Sequence, residues 1–388
     1  MQPTLRFPEF KDEWSYNLFN NIVTNRSKKF NPSTEEATND IELDSIEQNT
    51  GRLLNTYMSN QFTSQKNIFN KNSVLYSKLR PYLNKYYYAQ IEGVCSSEIW
   101  VLNTLNKDVL SNKFLYYFIQ TNRFSSVANK SAGSKMPRAD WGLVENIRLY
   151  RGPIEEQEKI GEFFSKLDQQ IELEEKKLEL LKQQKKGYMQ KLFSQELRFK
   201  DENGNEYPNW QTVKIGSILK ERKERSGDGE MLSVTINHGI VKFDEIDRKD
   251  NSSKDKSNYK KVYKNDIAYN SMRMWQGASG KAEFDGIVSP AYTVVTPIEN
   301  INSSFIAYYF KTHNMIHKFR INSQGLTSDT WNLKYKQLKD IKISICSKEE
   351  QDKIANLLTI LDIRIKKQNH KLEILNINKK GLLQKMFV

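Results

Sequence analysis

Residues 155–193 read EEQEKIGEFFSKLDQQIELEEKKLELLKQQKKGYMQKLF, and residues 349–387 read EEQDKIANLLTILDIRIKKQNHKLEILNINKKGLLQKMF. The two stretches align without a gap and share 18 of 39 positions. Every third or fourth residue of the first gives Ile160, Phe164, Leu167, Ile171, Glu174, Leu178, Leu181, Lys185, Tyr188 and Leu192. The second gives Ile354, Leu358, Leu361, Ile365, Gln368, Leu372, Leu375, Lys379, Leu382 and Met386. Alternating 4-3 spacing sustained over four heptads is the pattern of a coiled-coil seam. Both copies interrupt the seam at the same steps, Glu174/Gln368 and Lys185/Lys379. Polar seam residues weaken a coil but fix its register and its partner. The simplest arrangement pairs the two helices antiparallel, each about 58 Å long at 1.5 Å per residue. The other arrangement lays each helix on its own globule. Pro153, Glu155 and Glu156 at the first start, and Ser347, Glu349 and Glu350 at the second, suit helix initiation and the helix dipole.

Working outward, each helix follows a globule of about 150 residues. The globules are diverged copies. LRF at 5–7 recurs at 197–199, each followed by a tryptophan, Trp14 and Trp210. KNSVLY (71–76) matches KNDIAY (264–269), with Arg80 and Arg273 at equivalent later steps. Gly93 with Ser96 matches Gly286 with Ser289. FLYYFIQT (114–121) matches FIAYYFKT (305–312), and glycine loops follow at Gly133 and Gly325. Short apolar strands, ENIRLY and KDIKISI, then lead into the long helices. Strand-like SVLYSKL, EIWVL, DIAYNSM and AYTVV mix with short helices and lack regular β-α alternation. The expected class is α+β: globule 1–152, helical repeat 153–195, globule 196–346, helical repeat 347–388. A duplicated chain suits a duplicated partner or a two-part target.

The 388 residues suffice for two or three cores. A net charge of +13 and a pI near 9.3 favour a polyanionic partner such as nucleic acid, or an acidic protein. Cys95 and Cys346 have no CxxC spacing, which argues for a reducing cytosol and against disulfides or a zinc site. The N-terminus has no apolar signal region and no window is long enough to span a membrane, so the expected location is cytoplasmic.

Catalytic motifs are missing from the sequence. GASGK (277–281) is too short for a phosphate-binding loop, and GxGxxG, HExxH, GxSxG and [DN]PP[YFW] do not occur. His238, His313, His317 and His370 are scattered; His313 and His317 share a helix face but have no evident third ligand. The most divergent parts of the two globules are polar, basic and aromatic loops. In the first these are 25–31, 77–88 and 131–138; in the second, 236–243, 270–281 and 323–331. Their Arg, Lys, Asn, Gln, Ser and Thr are the side chains that read base edges and phosphates. Equal scaffolds with unequal loops suit two modules that read different sequences.

At this point the chain resembles, over its full length, the specificity subunits of type I restriction–modification enzymes. The resemblance rests on two globules in series, each closing on a strand, EEQ[ED]KI and a long helix ending in QK[LM]F. NSMRMWQG…DGIVSPAY (270–292) also resembles one class of target-recognition domain. The family often has prolines at the second junction, where this chain has Cys346-Ser347.

The resemblance implies a non-catalytic subunit. Two target-recognition domains would each read half of a split site in double-stranded DNA, with the coil as a spacer. Two methyltransferase subunits would dock on the helical repeats and two motor-nuclease restriction subunits would join them. S-adenosylmethionine, ATP and Mg²⁺ would be bound by those subunits, and no cofactor by this chain. The candidate DNA contacts are Lys78, Arg80, Lys135 and Arg138 in the first globule. In the second they are Arg273, Trp275, Gln276, Lys281, Thr327 and Ser328, with Trp275 equally suited to packing. A modification-only methyltransferase would need the same subunit, and a non-specific coiled-coil scaffold is the alternative of a different class.

Overall fold

The computed structural model describes residues 1–130, 135–246 and 255–388. Gly133, one of the two repeated loop glycines, lies outside the described residues. The chain forms two compact units: Met1–Glu175 with His370–Val388, and Lys176–Asn369. The two long helices, Ile154–Phe193 and Lys348–Met386, each begin in one unit and finish in the other.

In the first unit, a four-stranded sheet has the order Val23–Thr24, Ile99–Thr104, Val74–Ser77, Tyr86–Tyr88. A five-stranded sheet has the order Lys29–Phe30, Lys66–Phe69, Gly93–Ser96, Asn39–Ile41, Tyr57–Met58, with one parallel pair, Asn39–Ile41 on Gly93–Ser96. All four residues of Val74–Ser77 are buried because this strand is covered on both faces. Val74 and Tyr76 point into the core shared with the helices, and Leu75 points into the core of the five-stranded sheet. Side chains that alternate across a strand make a continuous apolar run of a doubly covered sheet. An antiparallel pair, Ser15–Leu18 with Arg148–Arg151, leads the chain into the first long helix.

The second unit repeats this plan. Its first sheet has the order Leu219–Glu221, Tyr292–Pro297, Ile267–Asn270, Ser279–Lys281. Its second has the order Gly239–Lys242, Met231–Thr235, Gly286–Val288, Lys260–Val262, again with one parallel pair. Ile267 and Tyr269 face the helix-side core, and Ala268 faces the other. Gln211–Lys214 pairs with Lys342–Ile345 before the second long helix.

Within each unit the start of one long helix runs antiparallel to the end of the other. In the first, Ile160 and Phe164 pack with Leu383, Met386 and Phe387. In the second, Ile354, Leu358 and Leu361 pack with Leu192, and Tyr188 and Phe193 lie against them. Of the seam residues, Ile160, Ile171, Ile354, Leu361 and Leu372 are buried, and Leu167, Leu178, Leu181, Ile365 and Leu375 are half-buried. The polar interruptions pair across the seam. Lys379 Nζ lies 2.6 Å from Asp168, which accepts a hydrogen bond from the Tyr117 hydroxyl at 3.0 Å. The second unit repeats the triad with Lys185 2.6 Å from Asp362 and the Tyr308 hydroxyl at 2.7 Å.

Helix initiation does not account for the EEQ at each start. Glu155 is exposed, as a dipole contact would be, but Glu156 and Glu350 are fully buried. Arg6 donates to both Glu156 oxygens at 2.9 and 2.8 Å, and Trp14 Nε1 donates at 2.8 Å. Arg198 grips Glu350 in the same way, at 3.1 and 2.8 Å. These arginines are the centres of the two LRF repeats. The neighbouring glutamines bond to main chain: Gln157 donates to Gly152 and Val109 and accepts from Ser111, while Gln351 donates to Cys346 and accepts from Asn302. Each LRF also caps a helix end, with Leu5 N–H donating to Lys385 at 3.0 Å and Leu197 N–H to Lys191 at 3.1 Å. The repeated sequence elements are thus one structural device, a buried ion pair joining the entry of one long helix to the exit of the other.

Replacing Arg198 with Met strands a buried carboxylate and is expected to cost about 3 kcal/mol in urea unfolding. A loss below about 0.5 kcal/mol would contradict the buried pair. Phe164→Ala, in the core beside Phe387, is expected to cost about 3–5 kcal/mol. Leu173→Ala on the same helix, at a residue 65% exposed, is expected to stay within about 0.5 kcal/mol.

Candidate nucleic-acid interface

In each unit the last two strands of the four-stranded sheet are joined by an eight-residue connection, 78–85 and 271–278. A short 3-10 turn occupies each, Pro81–Leu83 and Met274–Gln276. Arg80 and Arg273 immediately precede these turns, which explains their recurrence at equivalent steps. Buried Pro81 and Met274 hold the connections to the body, so the residues around them are presented by a fixed loop.

The loop after the short helices comes alongside. In the first unit Leu79 and Arg138 form a β-bridge; Arg80 N–H donates to Pro137 at 2.8 Å and Ala139 N–H to Lys78 at 2.7 Å. In the second unit Leu333 N–H donates to Ser271 at 2.8 Å, the counterpart of the Ala139–Lys78 bond. The preceding hairpin closes through Gln324 and Asn332, which exchange main-chain bonds of 3.0 and 2.8 Å, and Thr330 N–H donates to Thr327 at 3.0 Å. Gly325, at φ +145°, is required in this hairpin, because a Cβ there would sit 2.6 Å from the Thr330 carbonyl.

The structure therefore brings Lys78, Arg80, Lys135 and Arg138 to one pair of adjoining loops. Arg80 and Lys135 are exposed, and Lys78 is half-buried. Arg80 adopts a left-handed backbone, φ +51°, that its loop enforces. Arg138, 52% exposed, pairs with Glu98 through two hydrogen bonds of 2.9 and 3.4 Å. That pair raises the guanidinium's pKa.

In the second unit Arg273, Trp275 and Gln276 lie on the strand connection, and Thr327 and Ser328 on the exposed hairpin beside it. Trp275 is half-buried, and its indole N–H donates to Met272 at 3.1 Å. Its ring meets Trp331 edge-on, with centroids 5.2 Å apart, and the Arg320 guanidinium lies 5.4 Å from the Trp331 ring. Lys281 stands apart: it pairs with Ile267 at the far end of its strand from this loop, and its ammonium lies 3.1 Å from Glu283. A polar cleft of about 320 Å³ opens next to the loops, with Ser271, Met272, Thr293, Asn332 and Lys334 in its wall.

Sequence reasoning passed over Trp331, Arg320 and Glu98. Trp331 ends the SQGLTSDTW loop, and its aromatic ring beside polar loop residues was an available signal. Arg320 and Glu98 reach the loops only through the fold. Among the described residues no group of His, Cys, Asp and Glu could hold a metal ion, and no helix is long and apolar enough to cross a membrane. Cys95 and Cys346 are free and buried.

A family model for the type I restriction modification DNA specificity domain matches residues 18–183 and again 207–376. The MjaVIII type I restriction enzyme specificity subunit of Methanocaldococcus jannaschii is 30% identical over 133 residues, 33% of this chain and 31% of that protein. The EcoDI type I restriction enzyme specificity subunit of Escherichia coli is 28% identical over 156 residues, 39% of this chain and 34% of that protein. The aligned segments thus span about a third of the length of these relatives. The crystal structure of the S subunit of a type I restriction–modification system from M. genitalium shares the fold, with a TM-score of 0.58 at 17% identity, over 100% of this chain and 99% of that one. With the family's domain matched twice, once in each half, and its fold present throughout, this chain belongs to the type I restriction–modification DNA specificity family.

Proposed function

We propose that this chain is the DNA-reading, non-catalytic subunit of a type I restriction–modification complex, each unit reading one half of a split double-stranded site. The observation that carries this reading is the pairing of the same two loops in both units. The main-chain bond that seats one loop on the other recurs at equivalent residues, Ala139–Lys78 and Leu333–Ser271, while the loop side chains differ. The first unit offers Lys78, Arg80, Lys135 and Arg138; the second offers Arg273, Trp275, Gln276, Thr327 and Ser328. The net charge of +13 supplies sequence-independent attraction to the duplex, and a few loop contacts specify.

In this reading two methyltransferase subunits dock on the helical repeats, one for each equivalent half, and two restriction subunits complete the assembly in the cytoplasm. The partners bind S-adenosylmethionine, ATP and Mg²⁺; this chain contributes recognition and scaffolding. The exposed apolar residues outside the seam, Leu173, Ile374 and Ile377 in the first unit and Leu180, Ile360 and Ile363 in the second, support a helical surface available to such partners.

The test is the methylated motif of cells carrying the complete system. Arg273→Ala is expected to relax one half of a gapped motif by roughly 10-fold, the worth of one good base contact, and leave the other half intact. Retention of full specificity in both halves would remove Arg273 from the interface. Sequence-independent DNA binding in the presence of the methyltransferase subunit would favour a non-specific scaffold.

A further inference from the structure

We propose that Lys311 is a positioning residue that sets the specificity of the second unit by tying two of its candidate recognition loops to each other. The proposal rests on the reading of those loops as DNA-contacting. Lys311 follows the helix Ser303–Phe310 and its ammonium donates to two main-chain carbonyls, Ile236 at 2.8 Å and Gly277 at 2.5 Å. Ile236 lies in the turn between the strands Met231–Thr235 and Gly239–Lys242. Gly277 closes the Met274–Gln276 turn, which carries Trp275 and Gln276. These are different loops, and a single cation bridges them.

The strands that leave the two loops already touch where neither has a side chain. A Cβ on Gly280 would lie 2.8 Å from the Gly239 Cα, so the backbones meet at van der Waals distance. That contact fixes the spacing of the strands at the base of the loops but is non-directional. The bonds from Lys311 add direction at two carbonyls, one on each loop. Gly277 has φ +85°, a left-handed conformation that a glycine adopts without penalty, and a Cβ there would approach Ile316 at 3.3 Å. The turn is therefore held both by the helix His313–Asn322 and by the lysine. Burial, with Lys185 nearby, lowers the Lys311 pKa to about 8, as expected of an ammonium enclosed by protein.

The equivalent position in the first unit is Gln120, and its amide donates to Tyr116 in its own helix. Among the described residues the bridge thus belongs to one copy alone. A residue needed by the shared scaffold would recur in both, as the Asp168 and Asp362 triads do. Lys311 varies with the loops, which places it with recognition.

The experiment uses the full chain assembled with its methyltransferase subunit and reads the methylated motif from a randomised DNA library. Three variants are compared: Lys311→Gln, Lys311→Arg and Arg273→Ala. Glutamine already occupies this position in the first unit, so Lys311→Gln is expected to fold. It is expected to raise tolerance of wrong bases roughly tenfold in one half-site only, on the scale of one bidentate contact. Lys311→Arg, which keeps a long donor, is expected to restore most of the discrimination. If Arg273→Ala relaxes one half-site while Lys311→Gln leaves both intact, the bridging role is overturned and the DNA reading stands. If neither variant alters the motif, the DNA reading of these loops falls and the proposal falls with it. If Lys311→Gln lowers the melting temperature and relaxes neither half-site, the lysine is structural and the proposal is likewise overturned.

Discussion

The architecture depends on a lysine in an apolar helix seam meeting an aspartate on the opposite helix. Lys379 reaches Asp168 in one unit and Lys185 reaches Asp362 in the other, both at 2.6 Å, with a tyrosine hydroxyl completing each triad. A lysine at a seam position gains little stability for a coil. Both lysines meet an aspartate in one alignment of the two helices, since a heptad slip would put Ala355 or Asn369 in the place of Asp362. The tyrosines, Tyr117 and Tyr308, come from the globule helices, so the same carboxylate that sets the register also anchors the globule. Helix pairing and domain placement are therefore one constraint within each unit.

The Arg6–Glu156 and Arg198–Glu350 pairs work beside it, fixing where a long helix begins relative to where the other ends. Both carboxylates are fully buried while their arginines keep some contact with solvent. Such pairs contribute less to net stability than to uniqueness, because an alternative arrangement would leave the carboxylate unpaired. A scaffold over-determined in this way can carry loops of almost any sequence. The main-chain bonds that seat the loops, Ala139 to Lys78 and Leu333 to Ser271, make no demand on side chains. Recognition can then diverge between the two units while the frame stays fixed.

Much of this frame was legible in the sequence because periodicity and repetition are local signals. The 4-3 spacing exposed the seam, and the aligned polar steps at Lys185 and Lys379 marked its register. The function of the EEQ and LRF elements was not legible, since Glu156 finds Arg6 across 150 residues of chain and the helix dipole offered a sufficient local explanation. The doubly covered sheet was equally hidden, because a buried run such as Val74–Ser77 does not say what covers each face. In the loops, residue type pointed to Lys78, Arg80 and Arg138 in the first unit and to Arg273 in the second, and within each unit the fold brought the loop segments together. It set Lys281 beyond them, because strand register places it one strand length from the turn. Lys311 was invisible: it lies in a helix-terminal repeat element, and only the fold reveals which carbonyls it meets.

The central claim is that each unit reads its half of a split DNA site on its own. The most direct measurement exchanges the 271–278 and 324–332 loops for those of another family member of known target, then sequences the methylated motif made by the full complex. The account predicts a motif altered in one half, with the other half and the gap length unchanged. A change in both halves, or in the gap, would contradict independent reading by the two units.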